Sequence, residues 1–406
     1  MNIGIEIIDH NQKLDLSKPD CHAYGIGGTQ YEFVLLQYYL SQDPKYQVYV
    51  YHTSENQYAE NAISRKVASH ADMLEQVKAD QIDVLIVQQA ATKEEYEAYG
   101  TVDAAVVIWA HNNIDYEGCR AICQIDNIKR VVFVSHEQYD GYIDDDVIRK
   151  GCYIYNMYIR PDAQVNRQVS EQTVSFMGAL VPWKGFHLLA QVWKDILAEV
   201  PDAKLHVLGS NYNGKNVEDE YYKRYMSHLT DAEGKLLPSV TFHGNVSAQK
   251  KEIFEHTCVG VVNPSGLSET FCISAVEFEA YGVPVCSKNG YALLETVDHG
   301  KTGLLSKNTK ELKDNIVTLL KNEVQNQQMS KAATVFYEQF TPEKVVPKWK
   351  ALLEQIEKNE PAQIETPKKN LRDNYKWIRM AVYFLRIKLG IRILPSYKKL
   401  QYLLHK

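Results

Sequence analysis

Glu269 and Glu277 stand eight positions apart, at the end of Asn263-Pro264-Ser265-Gly266-Leu267-Ser268-Glu269-Thr270-Phe271 and in the helical stretch behind it. At 3.6 residues per turn that spacing is about 2.2 turns, so both carboxylates can project toward one broad side of a helix starting near Glu269. A carboxylate accepts several hydrogen bonds, which suits the hydroxyls of a sugar or a ribose. The amides at the helix start would meet a diphosphate. Without further context the same pair reads more simply as a capping acid and a solvated helix glutamate.

Two other segments carry residues of the right type. Gly178-Ala179-Leu180-Val181-Pro182-Trp183-Lys184-Gly185 follows a strand and precedes a helix. Lys184 there could neutralise a departing diphosphate, although an isolated loop lysine is ordinarily just an exposed charge. Gly25-Ile26-Gly27-Gly28 precedes a helix beginning near Thr29, and its glycines allow backbone amides to approach a phosphate or sugar. A dinucleotide fingerprint would place glycine where Gln30 stands, which counts against a nicotinamide-dependent oxidoreductase. Of the seven cysteines only Cys119 and Cys123 lie close together, and no second Cys/His pair answers them at zinc spacing. Reduced thiols and no metal site are expected.

The elements that must position these residues come in two α/β cycles. The first has candidate strands Ile3–Ile8, Gln47–Tyr51, Ile82–Val87, Ala104–Trp109, Arg130–Val134 and Cys152–Tyr155, short Val/Ile runs separated by helical patterns. The second has strands Val174–Met177, Lys204–Leu208, Val240–His243 and Cys258–Val262. Its helices cover Leu188–Val200, Val217–Leu229, Gln249–His256 and a segment ending at Tyr281-Gly282. Apolar runs that do not alternate fit strands buried on both faces of a parallel sheet. A chain of 406 residues exceeds one ordinary core. The expected fold is therefore α/β with two doubly wound Rossmann-like domains, 1–165 and 166–340, a helix over 341–358 and a tail over 359–406. Ligands are expected in the cleft between the domains, beyond the carboxyl ends of the strands.

In order and spacing these segments resemble the retaining family-4 glycosyltransferases of GT-B fold, the bacterial cell-surface polysaccharide type. The resemblance is strongest over 172–306, through GALVPWKGFHLLAQVW, VPDAKLHVLGS, VTFHGNVS and NPSGLSETFCISAVEFEAYGVPVCSKNGYALLETVDHGKTGLL. Over 1–170 it rests on GIGGTQ, IWAHN, VVFVSHEQYD and IYNMYIRPD. Its most specific element is the E-x7-E pair. The resemblance implies that Glu269 binds hydroxyls of the donor sugar, aided by amides around Thr270, Phe271 and Cys272, while Glu277 holds the ribose. Lys184 would hold the diphosphate, Gly27 and Gly28 would approach the phosphates, and Gly244, Asn245 and Val246 would lie near the base. His111, after strand Ala104–Trp109, matches a histidine that the family places beside the sugar. It further implies a nucleotide diphosphate sugar as donor, a glycan or lipid-linked acceptor, and no metal or other cofactor. One departure stands out: the family commonly has arginine where this chain has Ala179, which leaves open a non-catalytic partner subunit.

Net charge is −6, unevenly placed. Residues 368–406 hold eleven Lys or Arg against Asp373, giving +10, so the remaining 34 basic and 50 acidic residues give −16. An acidic body argues against nucleic acid as the main partner. Trp377–Leu389 mixes bulky apolar residues with arginine and lysine, a pattern that suits an anionic membrane surface or packing on the body with its charges solvated. The opening MNIGIEIIDH is strand-like, with no basic leader, and no uncharged stretch is long enough to span a bilayer. The expectation is a cytoplasmic protein, peripheral on a membrane if the tail binds one.

Overall fold

The computed structural model describes residues 1–8, 13–19, 26–160, 167–169, 171–210, 220–246, 249–367, 376–391 and 393–404. Cys21, Gly25, residues 217–219 of the expected helix and the start of the basic run at 368–375 lie outside the described residues. The chain forms two compact units, one running to Met157 and resuming at Pro342, the other spanning Tyr158–Thr341.

In the first unit, β1 (Asn2–Ile7), α1 (Gly28–Ser41), β2 (Gln47–His52), β3 (Ile63–Lys66), α2 (His70–Ala79), β4 (Val84–Gln88), α3 (Lys93–Ala98), β5 (Ala105–Ala110), α4 (Tyr116–Gln124), β6 (Ile128–Phe133), α5 (His136–Asp140) and β7 (Gly151–Tyr153) alternate along the chain. Among the described residues the strands make a parallel sheet in the order β3-β2-β1-β4-β5-β6-β7. The central strands β4 and β5 are almost wholly buried, as their unbroken Val/Ile runs require. β3, Ile-Ser-Arg-Lys, was not expected. It is an edge strand whose alternate residues face solvent, so it lacks the apolar run that marks its neighbours.

The second unit repeats the pattern with β8 (Thr173–Met177), α6 (Phe186–Glu199), β9 (Lys204–Leu208), α7 (Glu220–Leu229), β10 (Val240–Gly244), α8 (Lys250–His256), β11 (Val259–Val261), α9 (Ile273–Ala280), β12 (Val285–Lys288), α10 (Leu293–Thr296), β13 (Gly303–Ser306), α11 (Thr309–Lys321) and α12 (Glu323–Tyr337). Its described strands are parallel in the order β10-β9-β8-β11-β12-β13. Helix α6 buries Phe186, Leu189, Ala190, Val192, Trp193 and Ile196, a stripe at helical spacing, and ends just before Pro201. Each large side chain so buried contributes about 2 kcal/mol.

At Pro342 the chain returns to the first unit with α13 (Pro342–Glu357). Trp349 meets Trp109 edge-on at 4.6 Å, while Lys350 pairs with Asp43 at 2.6 Å and Lys45 with Glu354 at 2.8 Å. The tail follows as α14 (Lys376–Tyr383), one π-helical turn (Phe384–Lys388) and α15 (Tyr397–Leu404). Its described arginines are not solvated. Arg379 and Arg386 are buried, and Arg386 donates to the Asp144 carbonyl at 3.0 Å and to the Asp146 carboxylate at 2.7 Å. The Ser396 hydroxyl donates to Asp145 and the Tyr397 amide to Asp144. The Asp144-Asp145-Asp146 triplet, an Asp-x-Asp pattern of the kind that can hold a metal–diphosphate, is thus engaged by the tail. Among the described residues no helix is long and apolar enough to cross a membrane.

Candidate functional site

Strand order in the second unit reverses between β8 and β11. At such a switch point the loops leaving the two strands diverge to opposite faces of the sheet and open a crevice at their carboxyl ends. The loop after β8 carries Lys184 in the 3-10 turn Pro182–Lys184, and the loop after β11 carries Glu269. The two side chains meet there: Lys184 Nζ lies 2.8 Å from Glu269 Oε2. Lys184 keeps 32% of its side chain exposed and Glu269 only 6%. Asn263 Nδ2 donates to the same carboxylate oxygen at 2.6 Å. Burial disfavours the Lys184 ammonium, but attraction to Glu269 and the hydrogen bond between them outweigh it, and the net shift of its pKa is upward.

The local backbone explains how the two loops come so close. Asn263 and Ser268 have φ of 34° and 56°, left-handed values that cost about 1 kcal/mol or more in residues with a Cβ. The strain is held by a turn in which Asn263 Oδ1 accepts from the Gly266 amide at 3.0 Å and the Ser265 hydroxyl at 2.9 Å. That hydroxyl also lies against the Trp183 carbonyl, tying one loop to the other. Gly185, at φ 71°, caps the start of α6, and a Cβ on it would sit 2.5 Å from the Ser265 amide nitrogen.

Phe271 and Cys272 lead into α9 and are buried, Phe271 edge-on to Phe340 at 5.5 Å; Thr270 is half-buried. Burial pushes the Cys272 thiol well up, which keeps it protonated. Glu277, within α9, pairs with Lys250 at 2.7 Å, both largely buried. Lys250 escaped the sequence reading. The available signal was electrostatic: Lys250 and Lys251 occupy the first turn of α8, where the helix dipole disfavours cations, so another charge must hold them there. Gly244 ends β10 at φ 67°, with its carbonyl accepting from the Gly209 amide at 2.8 Å. Exposed Asn245 accepts from Ser210 at 3.0 Å, and Val246 is half-buried. The second unit therefore brings two ammonium–carboxylate pairs, Lys184–Glu269 and Lys250–Glu277, to the two ends of the segment 269–277.

The remaining candidates belong to the first unit. Gly27 caps α1 with φ −65° and ψ 149°, and a Cβ built on it would meet nothing within 4 Å. Neither backbone nor packing demands glycine there. Gly28 begins α1 and is exposed. His111 follows β5; its amide donates to Gln89 Oε1 at 2.7 Å, and its ring packs on Trp109 and Phe33 with centroids 4.8 and 5.8 Å away. Burial pulls its pKa down to about 3. The neutral imidazole is stabilising above the unfolded value near 6.5, and that stability is lost as pH falls toward 3. Unfolding titrations should show His111→Gln losing about 1.4 kcal/mol less than the wild type between pH 7.5 and 5.5. Equal losses would show that the ring titrates normally.

Strand order in the first unit reverses between β1 and β4, and a cavity of about 570 Å³ opens at their carboxyl ends. Glu6, His70, Glu95, Gln88, Tyr99 and Asn112 supply its polar lining. Glu6 lies 3.4 Å from His70 Nδ1 and accepts from the Tyr99 hydroxyl at 3.3 Å. The Glu6 hydrogen bond outweighs burial and raises the His70 pKa.

Known proteins resemble this chain in sequence and in fold. Residues 160–336 match the family described as Glycosyl transferases group 1. An uncharacterised glycosyltransferase of Methanocaldococcus jannaschii is 29% identical over 227 residues, 54% of this chain and 58% of the relative. The chain thus spans little more than half the length of that relative. Sucrose-phosphate synthase from Thermosynechococcus elongatus superposes with a TM-score of 0.69 at 14% identity, covering 88% of this chain and 100% of that one. Anabaena HepE in complex with UDP does so with a TM-score of 0.64 at 17% identity, over 88% and 100%. At these identities the likeness speaks for the fold. The chain has the GT-B fold, two Rossmann-like α/β units, and its residues 160–336 match the glycosyl transferases group 1 family.

Proposed function

We propose that this chain transfers a hexosyl group from a nucleoside diphosphate sugar to a hydroxyl of a glycan or lipid-linked acceptor, with retention at the anomeric carbon and without a metal, in cell-surface polysaccharide synthesis. The observation that carries the proposal is the Lys184–Glu269 pair at the switch point of the second unit, with Lys250–Glu277 at the far end of the same segment. A diphosphate is a stronger anion than a carboxylate and competes for both ammonium groups. Drawn to it, the lysines release carboxylate oxygens to accept hydrogen bonds, Glu269 from the sugar hydroxyls and Glu277 from the ribose. Gly244, Asn245 and Val246 flank the base. In the first unit, exposed Gly27 and Gly28 take phosphate oxygens in this reading, and His111, whose pKa burial pulls down, stays neutral beside the sugar. UDP bound by HepE makes a uridine nucleotide the first donor to test.

In the transfer, the acceptor oxygen bonds to the anomeric carbon on the face the diphosphate leaves. The carbon–phosphate-oxygen bond breaks with its electron pair, and the acceptor proton passes to the departing phosphate. Lysine charge compensates what develops on that group. The acceptor enters the cavity lined by Glu6, His70 and Tyr99, whose acceptors and donors suit a polyhydroxyl ligand.

The test is a thermal-shift panel of UDP-, GDP-, ADP- and dTDP-sugars. One family of donors should raise the unfolding temperature by roughly 5 °C at saturation, and Lys184→Ala should erase most of that shift. No shift with any donor overturns the reading. Ala179, where the family's arginine would supply another diphosphate cation, favours one alternative: a subunit that binds nucleotide without transferring sugar. Donor binding by purified protein with neither hydrolysis nor transfer would select it.

A further inference from the structure

The tail turns Arg379 and Arg386 inward and several large apolar residues outward. On α14 and the π-helical turn, Arg379, Tyr383, Arg386 and Ile387 are buried against the first unit. Trp377, Ile378 and Phe384 lie at helical spacing on the other side and are 66%, 53% and 56% exposed. Further along the tail, Leu389 (57%), Ile393 (91%), Leu403 (57%) and Leu404 (82%) are also exposed. A cluster of large apolar side chains left exposed in this way marks a docking surface.

Charge identifies what covers it. From Asn374 to the last residue the sequence holds no Asp or Glu. Over residues 377–404, the exposed charged side chains among the described residues are Lys388 and Lys399, both basic. A second copy of the chain would bring like lysines together with no tail acid to pair them. An anionic lipid surface satisfies both features, because lysines reach the headgroups while tryptophan, phenylalanine and aliphatic side chains enter the acyl boundary. The inward-facing charges are already engaged: Arg386 holds the 144–146 loop, and half-buried Lys398 donates to the Ile114 carbonyl at 2.9 Å and lies 4.1 Å above the Tyr142 ring. They fasten the tail to the body, so attachment would position the first unit and not merely tether it.

We propose that the outward face of residues 377–404 is an interfacial anchor that seats the first unit on an anionic bilayer, chiefly by apolar insertion and secondarily through Lys388 and Lys399. This inference stands independently of sugar transfer, and its failure leaves the donor reading untouched.

The full chain should co-sediment with vesicles of phosphatidylglycerol and phosphatidylcholine and far less with phosphatidylcholine alone. Trp377→Ser/Ile378→Ser/Phe384→Ser should lower the vesicle-bound fraction about tenfold, while Lys388→Gln/Lys399→Gln lowers it about threefold and removes much of the salt dependence. Unchanged unfolding temperatures would show that both variants are folded. Ile393→Ser/Leu404→Ser, at the most exposed positions, is a second variant expected to weaken binding should the triple variant be unstable. The proposal is overturned if the wild type stays in the supernatant, or if the apolar variants bind as well as it does. It is equally overturned if light scattering shows a wild-type dimer that the triple variant dissociates, which would make the face a contact between copies.

Discussion

Replacing Glu269 by alanine should reduce sugar transfer about a thousandfold, equivalent to roughly 4 kcal/mol of transition-state stabilisation, while leaving the chain folded. The side-chain hydrogen bonds this carboxylate accepts from Lys184 and Asn263 both land on Oε2. In the proposed reading its other oxygen takes substrate hydroxyls. Glutamine should therefore fare little better than alanine. With Lys184 drawn to the diphosphate, Asn263 would claim the single carbonyl oxygen of the amide, and the NH2 group left facing the sugar donates where acceptance is needed. Steady-state kinetics on purified variants check this, with circular dichroism to confirm folding. Near-normal turnover in Glu269→Ala would remove Glu269 from the donor site. A large fall in Glu269→Gln with retained nucleotide binding would place its contribution on the sugar and not on the diphosphate.

Much of this arrangement was legible in the sequence because it is local. Short Val/Ile runs located β1, β2, β4, β5, β6, β8, β9 and β10 to within about two residues, since buried parallel strands cannot tolerate polar interruptions. The segment around Glu269 and the loop around Lys184 were each recognisable as the glycine-containing mouth of a strand–helix turn. That the two side chains touch was not readable, because they lie 85 positions apart and meet only through the adjacency of β8 and β11. Lys250 was missed for the same reason, its partner Glu277 being 27 positions away. The tail shows the limit most clearly. Its amphipathic pattern is plain, yet which side faces the body depends on Asp146, 240 positions from Arg386. Periodicity alone would have buried the apolar side. Three consecutive aspartates and the arginines that reach them reverse it.

The second large effect concerns stability. Gly185→Ala should destabilise the second unit by about 3 kcal/mol, lowering its unfolding temperature by roughly 6–12 °C. Two penalties combine. The φ of 71° costs an L-residue about 1–2 kcal/mol, and the new methyl group would lie 2.5 Å from the Ser265 amide nitrogen, a contact no rotamer can relieve. Gly234 separates the terms: its φ is 77°, yet a Cβ there meets nothing within 4 Å, so Gly234→Ala should show the backbone penalty alone. The difference between the two variants measures the clash. Because the clash pushes Ser265 away from Trp183, it also shifts the turn that aims Glu269, and nucleotide-sugar affinity should fall with stability in Gly185→Ala but not in Gly234→Ala. Equal unfolding temperatures for the two variants would mean that the loops after β8 and β11 do not pack as closely as the 2.5 Å approach requires. In that case the Lys184–Glu269 pair would lose the scaffold that holds it at the crevice.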